Sequence, residues 1–192
     1  FVGFILQAAR GLQHICESGL IHRDVKPSNL LLDREGTVKI LDLGLARFTD
    51  DRHDGLSKLQ GNSIMGTVDF MPPEQVDGAG EMDIRGDIYG LGATLYYLLT
   101  GGQGPLPSNN GGAKMIAIQF QEPKPIREFR QEVDPLLEKI VQRMMAKDPS
   151  KRFQTPNEAI TVLEGWLKRP TRKPEERRPA ASSVRVRTAS EA

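Results

Sequence analysis

His22-Arg23-Asp24-Val25-Lys26-Pro27-Ser28-Asn29 is the stretch on which the fold of this 192-residue chain turns. It lies within Leu20 to Leu32, which reads as a loop leading into a short strand. Upstream, Phe1 to Glu17 carries Val2, Ile5, Leu6, Ala9, Leu12 and Cys16 at helical spacing, and Gly19 closes the segment. Downstream, Asp33-Arg34-Glu35-Gly36 reads as a tight turn and Thr37 to Leu41 as the return strand of a small hairpin. Asn29 and the Asp42 of Asp42-Leu43-Gly44 flank the two strands, so the hairpin brings them together.

Leu45 to Met71 is long, polar and poorly periodic, and a loop of that length inside a compact domain is usually functional or mobile. Ile88 to Thr100 reads as a largely buried helix ended by Gly101-Gly102. Gln103 to Gly112 is loop, and Lys114 to Phe120 a short helix. Asp134 can cap the next helix, with Pro135 at its first position. Val133, Leu136, Leu137, Ile140, Val141 and Met144 then form an apolar stripe. Thr155-Pro156-Asn157-Glu158 is a capping box, and the helix after it should bury Ile160, Leu163 and Trp166 or Leu167. These elements make an α+β, mainly α domain over residues 1–167: about five helices around one hairpin.

From Lys168 the apolar periodicity stops, and residues 168–192 read as a basic, disordered tail or linker. That tail holds eight Lys and Arg against three Asp and Glu, so the net charge of +1 hides a mildly acidic body. Its default reading is a solvated linker. The totals suggest neither a nucleic-acid binder nor a membrane-surface protein. Apolar residues at 38% and charged residues at 27% fit a soluble globular chain. No apolar run reaches the roughly 18–20 residues of a membrane span. Cys16 is the only cysteine, which excludes an internal disulfide and a cysteine-based metal site and fits a reducing compartment. It reads as a small buried hydrophobe. His14 and His53 attract no role.

The opening segment fits the pattern H-R-D-x-x-x-x-N throughout. Asp42-Leu43-Gly44 follows, and Met71-Pro72-Pro73-Glu74 stands where protein kinases have A-P-E. In order and spacing the three resemble the protein kinases, specifically the bacterial serine/threonine kinases of eukaryotic type. Gly66-Thr67, Gly86-Asp87-Ile88-Tyr89-Gly90-Leu91-Gly92 and Lys147-Asp148-Pro149-Ser150-Lys151-Arg152 strengthen the resemblance, which covers Phe1 to about Leu167. Any one of these motifs alone is uninformative; together, in order, they are not. Leu43 replaces the usual Phe and Met71 and Pro73 bracket the usual A-P-E, both tolerable apolar changes.

The resemblance implies a kinase C-terminal lobe using ATP and Mg²⁺ to phosphorylate Ser or Thr hydroxyls of protein substrates. Phosphoryl transfer asks the protein for positioning and charge neutralisation. Asp24 would align the acceptor hydroxyl and take its proton late; Lys26 would reach the transferring phosphate. Asn29 and Asp42 would hold Mg²⁺, which prefers oxygen ligands and keeps some of its water. Leu31 would touch adenine from below, with plain core packing as the competing reading. Lys26 together with Thr67 resembles Ser/Thr rather than Tyr kinases, and Thr67 would shape the hydroxyl site. Arg23 beside Asp24 implies that an activation-loop phosphate can be gripped, with Ser57 and Ser63 as candidate phosphosites. Glu74 and Arg152 should pair, and Asp87 should hold the backbone at His22 and Arg23.

A kinase also needs a Gly-rich loop and a strand lysine paired to a helix glutamate. No G-x-G-x-x-G precedes Asp24 and the first lysine is Lys26, so an N-terminal lobe is expected upstream of Phe1. The other reading is a non-catalytic C-lobe binding module or a pseudokinase fragment. The resemblance implies a cytoplasmic location.

Overall fold

The computed structural model describes residues 1–42, 47–48, 68–77, 82–106 and 111–170. Leu43, Gly44, His53, Ser57, Ser63, Gly66, Thr67 and the tail beyond Pro170 lie outside the described residues.

Helix α1, Val2–Glu17, buries Val2, Ile5, Leu6, Ala8, Ala9 and Leu12 along one face. Cys16, expected inside, is only half-buried. Gly19 follows in the left-handed conformation (φ 70°), which costs glycine nothing. Short strand β1, Leu20–Ile21, pairs antiparallel with β4, Arg47–Phe48. Both lie in segments whose sequence reads as loop, because two-residue strands carry no period.

A 3₁₀ turn over Pro27–Asn29 leads into the hairpin of β2, Leu30–Leu32, and β3, Val38–Ile40, with Leu30 opposite Ile40 and Leu32 opposite Val38. Asp33 closes its turn by accepting from the backbone N–H groups of Glu35 (3.0 Å) and Thr37 (2.9 Å).

After a second 3₁₀ turn at Val68–Phe70 come α2, Pro73–Asp77, and the central helix α3, Ile84–Leu99. Helix α3 starts four residues before Ile88, where its apolar run begins. Asp83 caps it by accepting from the Arg85 N–H (2.9 Å), and the polar first turn hides that start from a hydrophobic pattern. Twelve residues of α3 are buried, from Gly86 to Leu99. Helix α4, Gly111–Phe120, likewise begins before Lys114.

Helices α5, Ile126–Phe129, α6, Pro135–Met144, and α7, Pro156–Leu167, complete the described chain. Helix α1 packs along α7 and on α3, and α3 packs on α6, around one apolar core. Leu137, Ile140, Val141 and Met144 of α6 enter that core, but Leu136 stays 40% exposed at the edge of the stripe. Of the two residues in question at the end of α7, Trp166 packs on the core while Leu167 is exposed. The Thr155 hydroxyl caps α7 through the Glu158 N–H (3.3 Å), but the Glu158 carboxylate reaches back to the Gln154 N–H (3.0 Å), one residue beyond the expected box. A second apolar cluster, Val68, Met71, Leu106, Ala117 and Ile118, joins the segment before α2 to α4. Among the described residues no helix is long and apolar enough to cross a membrane.

Candidate active site

Asp87, in the first turn of α3, accepts the His22 N–H on Oδ2 and the Arg23 N–H on Oδ1, both at 2.7 Å. Arg23 is held at φ 69°, a conformation that costs a non-glycine residue about 1 kcal/mol or more, so the carboxylate fixes a strained backbone. The Asp24 N–H donates to His22 Nδ1 (3.3 Å), which leaves Nε2 as the donor to the Leu41 carbonyl (2.8 Å). His22, fully buried, thus ties the loop to the far end of the hairpin. The Leu41 N–H donates to the Asn29 carbonyl (2.8 Å), closing the hairpin's base beside Asp42.

Helix α3 approaches this loop so closely that a Cβ on Gly90 would lie 2.7 Å from the Val25 carbonyl oxygen. A glycine inside a buried helix was the sequence's only signal of that contact. Gln7 carried no signal, yet it accepts the Val38 N–H (2.9 Å) and donates to the Gly36 carbonyl (3.1 Å), clamping the hairpin to α1.

Asn29 Nδ2 donates to the Asp24 carbonyl (2.8 Å) and to Asp24 Oδ2 (3.0 Å), and Lys26 Nζ lies 2.8 Å from the same Oδ2. Two donors therefore hold one carboxylate oxygen of Asp24, and its Oδ1 has no hydrogen-bond partner among the described residues. The two acceptors facing the Asn29 amide nitrogen fix that side chain's orientation, and turn its Oδ1 toward the Ser28 hydroxyl, which donates to it at 3.4 Å and leaves a second lone pair. Asn29 Oδ1 and the exposed Asp42 carboxylate are hard oxygen donors. They fit Mg²⁺, with water and phosphate oxygens completing the shell. Asp42 itself stands at φ 62°. Leu31 is 48% exposed, an apolar surface that fits the face of a base.

The segment around Glu74 is fastened from below. Arg152 Nη1 and Nη2 grip Glu74 Oε1 and Oε2 at 2.6 and 2.7 Å. Asp69 and Lys114, not singled out by the sequence, form a 2.6 Å ion pair between that segment and α4.

Burial pushes the Asp87 carboxyl up to about 6, against the two backbone N–H donors of His22 and Arg23 and the nearby Arg23 charge, which pull it down. A folded-state value raised above the unfolded 3.8 means stability is largest below pH 3.8 and falls as pH rises to about 6. Relative to Asp87→Asn, the wild-type chain should lose about 3 kcal/mol across that window and level off above it. Urea unfolding of both chains from pH 4 to 7.5 measures the difference; a pH-independent difference contradicts it.

The protein kinase domain family matches residues 2–162, and the chain belongs to that family. It is 35% identical over 167 residues to a probable serine/threonine-protein kinase of Clostridium perfringens, covering 86% of this chain and 23% of that protein. A probable serine/threonine-protein kinase of Streptomyces coelicolor is also 35% identical, over 85% of this chain and 23% of the relative. The serine/threonine-protein kinase PknB of Mycolicibacterium smegmatis is 34% identical over 85% of this chain and 26% of its own length. The chain thus spans about a quarter of the length of these relatives.

Proposed function

We propose that residues 1–167 are the C-terminal lobe of a protein serine/threonine kinase, which transfers the γ-phosphate of ATP to Ser or Thr hydroxyls of proteins once an N-terminal lobe completes it. The observation that carries this is the state of Asp24: Oδ2 is held by Lys26 and Asn29, and among the described residues Oδ1 has no hydrogen-bond partner. Asp24 Oδ1 accepts the hydrogen bond of the acceptor hydroxyl, orients its oxygen and takes its proton late, as the new O–P bond forms and the bond to ADP breaks. Lys26, anchored on Asp24, presents its ammonium to the phosphoryl oxygens as charge develops. Bound Mg-ATP supplies the phosphoryl group and neutralises charge on it; Asn29 Oδ1 and Asp42 would hold the metal and Leu31 would lie under the adenine. Thr67 would shape the hydroxyl site. The Gly-rich loop and its lysine would come from upstream of Phe1. The domain would work in the cytoplasm, where ATP is held.

Transfer of labelled phosphate from Mg-ATP to a Ser/Thr peptide mixture tests this, comparing this chain with one extended upstream through its coding sequence. The extended protein should transfer and the chain alone should stay at background. Equal transfer by both removes the need for completion. No transfer by the extended protein favours a non-catalytic binding module.

A further inference from the structure

A cavity of about 300 Å³ opens between the end of α3, residues 122–126 and α6. None of the residues around Asp24 lines it. Tyr96, Ile126, Val141 and Met145 give it apolar walls, and Glu122 and Glu138 place two carboxylates on its lining, with Lys124 as the one cation. The Tyr96 hydroxyl is already used, donating to the Lys124 carbonyl (2.9 Å). Glu138 Oε1 accepts the Arg127 N–H (3.0 Å), which leaves Oε2 for another donor. Glu122 forms no hydrogen bond or ion pair among the described residues. Burial first, and then the carboxylates of Glu128 and Glu138, push the Tyr96 phenol up to about 12, and Lys147 lies close enough to Glu122 to feel its charge. Apolar walls with carboxylates at the edge suit a long cationic side chain, whose methylenes need cover and whose head needs charge.

The chain carries such side chains where they can arrive. Helix α7 ends at Leu167, and Arg169 Nη1 lies 3.6 Å from Asp134 Oδ2. Asp134 caps α6, the helix that carries Glu138, Val141 and Gln142 along the cavity. Asp134 and Gln142 are roughly 12 Å apart along that helix, at 1.5 Å per residue. The nine residues that follow Arg169, ending at Arg178, span up to about 30 Å when extended. Arg172, Lys173, Arg177 and Arg178 all fall within that reach.

We propose that the cavity is the docking site of the chain's own basic segment, Arg172 to Arg178. One of its arginine or lysine side chains lies along Val141 and Met145 with its cationic head between Glu122 and Glu138. Docking of this kind ties whatever follows the domain to a face away from Asp24. It is weakened by salt, because the carboxylates sit at the cavity's open edge.

The full chain tests it, with Cys16→Ser and Ser182→Cys carrying a nitroxide spin label. At about 0.05 M salt the methyl resonances of Ile126 and Met145 should broaden, and the broadening should be lost at about 0.5 M salt. It should also be lost in Glu122→Gln/Glu138→Gln, a variant whose unchanged methyl dispersion elsewhere reports that it folds. Absence of broadening at low salt overturns the proposal. So does broadening that survives the double substitution, which would mean the tail passes this face without using the carboxylates.

Discussion

Arg152→Ala should destabilise the chain by about 3–5 kcal/mol, the range expected when one partner of a buried ion pair is removed. Its side chain is fully buried, and all five guanidinium N–H donors are used. Nη1 serves Glu74 Oε1 and the Arg85 carbonyl (3.0 Å), Nη2 serves Glu74 Oε2 and the Lys147 carbonyl (3.1 Å), and Nε serves the Ala146 carbonyl (2.7 Å). Alanine strands four acceptors at once, one of them a carboxylate with only 15% side-chain exposure. Lysine should rescue little, since a single ammonium cannot reproduce the fork. Glu74→Gln with Arg152→Met should cost less than the sum of the single changes, because an uncharged replacement of the whole pair leaves no buried charge behind. Urea unfolding followed by circular dichroism measures the wild type, Arg152→Ala, Arg152→Lys, Glu74→Gln, Arg152→Met and the double variant. A loss below about 1 kcal/mol for Arg152→Ala would place the pair among exposed ones and contradict its burial. Domains are stable by only about 5–15 kcal/mol, so the same substitution should release the Glu74 segment before the rest of the core fails.

The parts legible in the sequence are those whose physics is local. Asp134-Pro135 announces α6 because a capping carboxylate and a residue without an N–H suit a helix start, and the Asp134 side chain does accept the Leu136 N–H (2.7 Å). The hairpin itself was legible because the turn at Asp33 to Gly36 leaves little choice of register, and Leu30 does stand opposite Ile40. What stayed hidden depends on partners distant in the chain. Gln7 is an ordinary helix residue until β3 is laid against it, 31 residues on. The pairing of β1 with β4 joins two dipeptides with no pattern of their own. Gly90 signals a close approach but cannot name Val25 as the neighbour. Asp69 and Lys114 read as two surface charges, and only the packing of α4 on the second apolar cluster makes them a pair. The start of α3 is hidden for a related reason: a buried helix entered through Ile84-Arg85-Gly86-Asp87 spends its first turn on polar anchoring, and periodicity sees only the apolar run that follows.

Asp24→Asn in the upstream-extended enzyme should lower kcat by about 10²- to 10⁴-fold, the usual share of a positioned general base, while the KM for ATP changes little. Asparagine keeps the size of the side chain and can still accept the Asn29 amide hydrogen bond, so the loop should hold its course through Asp87. It cannot take the acceptor's proton, and it no longer pairs with Lys26, whose ammonium loses its 2.8 Å anchor. The stability cost should stay at roughly 1–2 kcal/mol, because asparagine keeps the hydrogen bond from the Asn29 amide and only the ion pair with Lys26 is lost. That disparity separates a chemical role from a structural one. If Asp24 only held the loop together, unfolding free energy and kcat would fall in step and nucleotide KM would rise with them. Steady-state kinetics and urea unfolding on the same preparation distinguish the two outcomes. A variant that retains most of its rate sinks the assignment of Asp24 as the proton acceptor, and with it the use proposed for its Oδ1.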